Sequence, residues 1–219
     1  LIRYMKSKGF SELELYEANL AKKSEKGNYY DNFRNRVMTP IIDLRGNIIA
    51  FGGRVLDDSK PKYVNTSDTL VYKKSLAVFA LNFAKNSGED SLILCEGYMD
   101  VITLHQAGFT NAIAGLGTAL TDEQVRLISR YCDKVYLSYD SDGAGREAME
   151  KAISKFEKTG LLISPLTLQG GKDPDEIIKK FGAERFRSIL NGASNEVEYK
   201  LLECKKGLDL SSDDGRIKY

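Results

Sequence analysis

Three acidic clusters, each beside glycine, mark where this 219-residue chain could do chemistry. Glu96-Gly97 follows the apolar run 92–95. Asp140 and Asp142 close the run 135–139 ahead of Gly143 and Gly145, and Asp173 and Asp175 come after Gly170-Gly171. In extended chain, residues i and i+2 point the same way, so Asp140 and Asp142 are expected to reach one site together. Carboxylates within a few ångströms repel one another unless they are protonated or hold a cation. Hard oxygen donors suit Mg²⁺ or Mn²⁺, which keep waters and take further oxygens from substrate phosphates. The glycines let the backbone turn sharply and let phosphate approach, and the positive end of a helix starting near Ala144 faces the same region. Each cluster alone has a plainer explanation. A DxD at a strand end is often a helix cap, and DPDE at 173–176 makes a good helix start with Pro174 in its first turn. Only convergence at one sheet edge makes a metal site, and that convergence is the expectation here.

The elements that must position these acids change character near residue 88. Before it, 41–44 and 48–51 flank Arg45-Gly46-Asn47, a hairpin turn whose Gly and Asn accept positive φ. Gly52-Gly53 reads as a break before Arg54-Val55-Leu56 resumes the strand. Leu76, Phe79, Ala80 and Phe83 predict a helix over 74–85, and Leu13, Leu15, Tyr16 and Leu20 predict a helix packing face near the start. Beyond residue 88, strands at 92–95, 112–114, 135–139 and 161–168 alternate with helices at 99–106, 121–131 and 145–158. Thr121 and Gln124 form a capping box for the second of these helices, and Pro165 requires the last strand to lie at an edge. Such alternation predicts a parallel sheet with helices on both faces and a ligand site outside the carboxyl ends of its strands. All three acidic clusters fall at those ends. After Asp175 the chain is expected to be helical to its end, apart from a polar loop at 209–215.

Charge is uneven. Residues 1–75 carry 14 Lys and Arg against 9 Asp and Glu, a net +5, while the remainder carries 18 against 22, a net −4. A basic front beside an acidic back fits a phosphate-handling surface next to a metal site. No apolar run approaches the ~20 residues of a membrane span and no signal peptide opens the chain, so the cytoplasm is the expected compartment. Cys95, Cys132 and Cys204 form no CxxC pair, and with His105 as the only histidine they predict reduced thiols rather than a zinc site. His105 itself reads as structural.

The strings LILCEGYMD at 92–100 and VYLSYDSDGAGR at 135–146 resemble the Toprim domain shared by bacterial primases, type IA and II topoisomerases and some nucleases. In that family a Glu ends the first strand and a DxD ends the third, and together they hold divalent metals. The resemblance makes Glu96, Asp140 and Asp142 the ligands and catalytic acids, and places Asp100 at the second acidic position of the first motif. LQGGKDPDE at 168–176 is similar to the extra acidic motif of primases and adds Asp173 and Asp175. FRNRVMTPIIDLRGNIIAFGGRVL, PKYVNTSDTLVYKK and AIAGLGTALTDEQ resemble DnaG-type primases in particular. On that basis Arg36, Arg54, Lys62, Asn65 and Lys74 match positions implied in template and nucleotide binding, with Arg34, Arg45 and Lys73 as weaker neighbours.

The resemblance implies an α/β fold: a Toprim, Rossmann-like parallel sheet at 88–178, a basic mixed α/β subdomain at 1–87 before it, and a partial helical subdomain at 179–219, apparently truncated. It implies primer synthesis from ribonucleoside triphosphates on single-stranded DNA, with Mg²⁺ (Mn²⁺ substituting) and an RNA primer as product. Zinc-ribbon and helicase-binding domains of such primases have no counterpart in these residues, so zinc and the replicative helicase are not expected to bind here. Tyr63 reads as a core tyrosine, with base stacking as its other possible role. Another Toprim enzyme, a nuclease or topoisomerase fragment, is the nearest alternative. A haloacid-dehalogenase-like phosphohydrolase also uses DxD after a strand, but wants Thr or Val where Ala144 stands. A non-enzymatic nucleic-acid binder leaves the clustered carboxylates without a purpose.

Overall fold

The computed structural model describes residues 1–117 and 119–205, so the loop expected at 209–215 lies outside the described residues. Two short helices, α1 (Ile2–Ser7) and α2 (Glu12–Glu17), lead into a ribbon of β1 (Ala21–Lys23) and β2 (Tyr29–Asp31). Of the expected packing face only Leu15 is buried; Leu13 is 57 % and Tyr16 47 % exposed. The two helices have six residues each, too few to maintain a continuous stripe.

An antiparallel sheet follows, ordered β3 (Val37–Ile42), β4 (Ile48–Arg54), β5 (Tyr63–Asn65). The predicted hairpin turn is present: Asp43 accepts the N–H groups of Arg45 and Asn47, and Gly46 takes φ 94°. Gly52-Gly53 does not break the strand, contrary to the reading above. Both residues lie within β4, where a Cβ at Gly52 would stand 3.1 Å from Asn65 and Tyr98, and one at Gly53 3.0 Å from Arg36 and Phe33. These glycines serve close packing rather than chain reversal.

The helix expected over 74–85 is shorter. Only α3 (Leu81–Ala84) is helical, because Phe79 exchanges backbone hydrogen bonds with Ala114 (2.8 and 3.2 Å) and Ala80 takes φ 63°. Pairing with a strand edge outweighs the helical spacing there.

The main sheet is parallel, ordered β7 (Ala112–Ala114), β6 (Ser91–Cys95), β8 (Lys134–Ser138), β9 (Leu162–Pro165). Pro165 ends the edge strand, where its missing N–H breaks no interior ladder. The connections are α4 (Tyr98–Gln106), α5 (Asp122–Ile128) and α6 (Gly143–Phe156), and Thr121 with Gln124 forms the predicted capping box. Beyond β9 come α7 (Pro174–Asn191), kinked where Gly182 takes φ 78°, and α8 (Glu196–Lys205).

Alternation along the strands sends side chains to two cores. Ile93 and Cys95 pack with Val101, Leu104, Ile177 and Phe186 of α4 and α7; Ile41 and Ala50 join them from the first sheet, and Tyr72 from the segment after β5. Leu92, Leu94, Val135 and Leu137 pack with Val125, Ile128, Ile153 and Phe156 of α5 and α6. The first sheet therefore shares a core with the α4–α7 face of the second, which holds its basic strands beside the carboxyl edge. Among the described residues no helix is long and apolar enough to cross a membrane.

Candidate active-site cleft

Parallel register brings the first two clusters together. Cys95 and Ser138 are paired partners at the ends of β6 and β8, so Glu96 and Asp140 emerge from adjacent strands at one sheet edge, near enough that the Glu96 charge acts on Asp140. The third cluster arrives from the loop after β9, tied to the second where Ser141 N–H donates to the Lys172 carbonyl at 2.9 Å. Glu96, Asp100, Asp140, Asp173 and Asp175 all line one cleft of about 710 Å³, with Arg54, Lys62 and Asn65 across from them.

Crowding leaves a chemical signature. Burial, then the charges of Asp173 and Asp140, push the Asp100 carboxyl up to about 7. Burial, then Glu96, Asp173 and Asp142, push Asp140 up to about 6, with Lys172 opposing. Asp175 is also drawn out of water, yet hydrogen bonds from Lys179 and Thr103 (2.6 and 2.5 Å) hold it below the usual carboxylate range. Its N–H reaches Asp100 at 3.4 Å, joining α7 to α4. Carboxylates that titrate upward through mutual repulsion are suited to a divalent cation, and the donor set is carboxylate oxygen, which fits Mg²⁺ or Mn²⁺ rather than zinc. Cys95, adjoining Glu96, is buried, and burial holds its thiol protonated well above its usual range. Among the described residues, no three His, Cys, Asp or Glu side chains stand placed to hold one ion. Mg²⁺ commonly takes only one or two protein carboxylates and completes its shell with water and phosphate oxygens.

Asp142 does not itself line the cleft, though its charge acts on Asp140. The chain enters α6 there, and Asp142 Oδ1 accepts the Gly145 N–H at 2.8 Å as an N-cap. Asp173 caps α7 in the same way through the Glu176 N–H at 2.7 Å, but still lines the cleft.

The family described as the DNA primase catalytic core, N-terminal domain, matches residues 1–85, and the family described as Toprim-like matches residues 93–178. The E. coli primase catalytic core is 36% identical with a TM-score of 0.82, over 94% of this chain and 67% of that one. The DnaG primase catalytic domain bound to ssDNA is 35% identical with a TM-score of 0.83, over 94% of this chain and 68% of that one. This chain belongs to the DnaG-type primase family. Among curated primases, that of Clostridium acetobutylicum is 45% identical over all of this chain and that of Aquifex aeolicus 41% identical over 95% of it. The chain spans 37% and 42% of the lengths of those two proteins. Membership does not favour the hydrolase, topoisomerase and nuclease alternatives.

Within this primase core the basic residues divide. Arg54 and Lys62 line the cleft and flank the Tyr63 ring, 5.7 and 5.8 Å from its centre. Tyr63 is 41 % exposed and so is no core tyrosine. Asn65 donates to the Leu116 carbonyl at 3.0 Å, linking the basic sheet to the end of β7. Arg36 instead donates to the carbonyls of Gly53, Pro61 and Lys62, bracing the segment that leads through Lys62 into β5. Lys74, Arg34, Arg45 and Lys73 do not line the cleft; Arg34 lies 5.2 Å over Tyr30, and Lys73 pairs with Asp68 at 3.6 Å. His105 bonds the Ala112 carbonyl at 2.8 Å, a structural role.

Sequence reasoning missed Lys172, Lys179, Lys180 and Tyr98, all of which line the cleft. The lysines were legible in principle, since Lys179 and Lys180 stand four residues after Asp175 and Glu176 and pair with them at 2.6 Å. Tyr98 is 6 % exposed and meets Tyr63 edge-on at 5.8 Å, and burial pushes its hydroxyl up to about 12.

Proposed function

We propose that this chain joins ribonucleoside triphosphates into an RNA primer on a single-stranded DNA template, releasing pyrophosphate, in the cytoplasm. One observation carries this reading: Glu96 and Asp140 emerge from paired strands into a cleft that Arg54 and Lys62 also line. Glu96 and Asp140 would hold Mg²⁺ or Mn²⁺, joined by Asp142 through the carboxylate oxygen that does not cap α6, with Asp100, Asp173 and Asp175 extending the set toward the triphosphate. When bound, such an ion acidifies a 3′-hydroxyl and offsets phosphate charge.

The chain's own residues do the positioning. Arg54 and Lys62 contact phosphate oxygens, Asn65 orients the nucleotide from β5, and Arg36 acts through the backbone it braces. Lys74, outside the cleft, has its part along the template. Contacts of this kind set register without reading bases. The relative whose catalytic domain is bound to ssDNA supports a single-stranded template. In this division of labour, 1–87 binds template and nucleotide, 88–178 supplies the acids, and 179–205 belongs to a helical subdomain, the rest of 179–219 lying outside the described residues.

Template-directed synthesis by the Asp140→Asn variant tests the reading. Activity falls by on the order of a hundredfold or more, as expected where charge stabilisation of the transition state is lost, while DNA affinity stays within about twofold. Near-normal synthesis would remove Asp140 from the site.

A further inference from the structure

The carboxyl edge of the parallel sheet opens on both faces, and the second opening has no part in the reading above. The charged cleft lies toward α4 and α7. Toward α5 and α6 lies a groove of about 440 Å³, bounded by the segment after β7 and by α6. Glu96, Gly115 and Gly117 line both cavities, so the two meet at the end of β6. There the strand order reverses, since β7 lies on one side of β6 and β8 and β9 on the other. A crevice at such a reversal accommodates ligands that extend across both halves of the sheet.

The two cavities differ in charge. In the cleft, Arg54 and Lys62 stand outside any ion pair among the described residues. In the groove, Lys151 is held by Glu147 at 2.5 Å and Lys155 by Asp122, so both cations are already neutralised. Between them the groove is floored by Ala119, Leu120, Ala144 and Ala148, small or apolar side chains that leave room for a flat ring. Its volume suits one nucleoside. A triphosphate belongs with the unpaired cations; the 3′-terminal residue of an RNA, with one phosphodiester charge instead of a triphosphate's several, belongs with the less charged groove.

We infer that this groove seats the nucleoside at the 3′ end of the growing RNA. The inference rests on the polymerase reading and assigns its second substrate a place. The terminal 3′-oxygen, delivered at the Glu96 boundary, forms its bond to the α-phosphorus of a triphosphate in the cleft. The bond from that phosphorus to the bridging oxygen breaks, pyrophosphate leaves with the electron pair, and the hydroxyl proton passes to water.

Crosslinking from a short RNA bearing 3′-terminal 4-thiouridine, annealed to a DNA template, tests this, with 8-azidoadenosine triphosphate as the probe for the cleft. The thiouridine crosslinks to peptides within 115–120 and 144–155. Ala119→Trp, at an exposed position that tolerates bulk, and Ala148→Phe each lower its yield by about tenfold and leave the triphosphate crosslink unchanged. Thiouridine crosslinks confined to 54–65 or 172–180, or yields indifferent to both substitutions, overturn the inference alone. A triphosphate crosslink that never falls on the cleft peptides overturns the polymerase reading, and the inference with it.

Discussion

Asp100 is 9 % exposed among Asp140, Asp173 and Asp175, and it accepts a hydrogen bond from the Asp175 N–H. Its folded-state pKa of about 7 lies above the value of 3.8 it has in a free chain. Between those values the native state binds more protons than the unfolded one, so stability is greatest at the acid end and falls as pH rises toward 7. Asp140, raised to about 6, acts in the same direction. In EDTA, the urea-unfolding free energy should drop by on the order of 2–4 kcal/mol between pH 5 and pH 8, from these groups combined. Asp100→Asn should flatten most of that slope, and millimolar Mg²⁺ should restore part of the stability at pH 8. A profile unchanged by the substitution would mean the Asp100 carboxyl is not under strain. Spacing alone could not have found Asp100, which stands one helical turn past Glu96 and entered through resemblance to a motif. Asp142 shows the reverse. Its alternation with Asp140 was legible, while the use of its Oδ1 to cap the first turn of α6 was not.

The turn into α6 also shows what a single element can require. A Cβ on Gly145 would sit 2.0 Å from the Asp140 carbonyl oxygen, a backbone atom that cannot move without displacing the acid it carries. A Cβ on Gly143, two residues earlier in the same helix, meets nothing within 4 Å. Gly145→Ala should therefore lower stability by about 3 kcal/mol or more and weaken Mn²⁺ binding, while Gly143→Ala should be within about 1 kcal/mol of the parent. Thermal melts and Mn²⁺ titration by electron paramagnetic resonance would separate the two, and equal effects would put the close approach in error. Elements whose pattern was set by local sequence and burial on both faces of the parallel sheet were readable, as with 92–95, 112–114 and the α5 capping box. Where a partner distant in sequence decided, the reading failed. Ala114 took the backbone of Phe79 and shortened the helix expected at 74–85, and Asn65 and Tyr98 made Gly52 a packing residue.

At the scale of the whole molecule, the uneven charge visible in the sequence becomes two walls of one cleft, because the first sheet shares a core with the α4–α7 face of the second. Charge division was legible; which basic residues face the acids was not, since that depends on how β5 pairs and where Arg36 spends its donors. The distinction can be measured. Lys62 stands outside any ion pair among the described residues and lines the cleft, so Lys62→Ala should weaken single-stranded DNA binding regardless of sequence. It should also reduce the slope of log affinity against log salt by about one, the signature of a single lost phosphate contact. Arg36→Ala removes hydrogen bonds to three carbonyls, two of them flanking Lys62 on the same strand approach. Its expected effect is a loss of about 1–3 kcal/mol in stability together with weaker DNA binding, because the wall itself loosens. Anisotropy titrations from 50 to 300 mM NaCl, run beside thermal melts, distinguish the two residues. If Lys62→Ala leaves the salt slope untouched, the basic strand does not face the nucleic acid, and the two walls of the cleft do not work on one substrate.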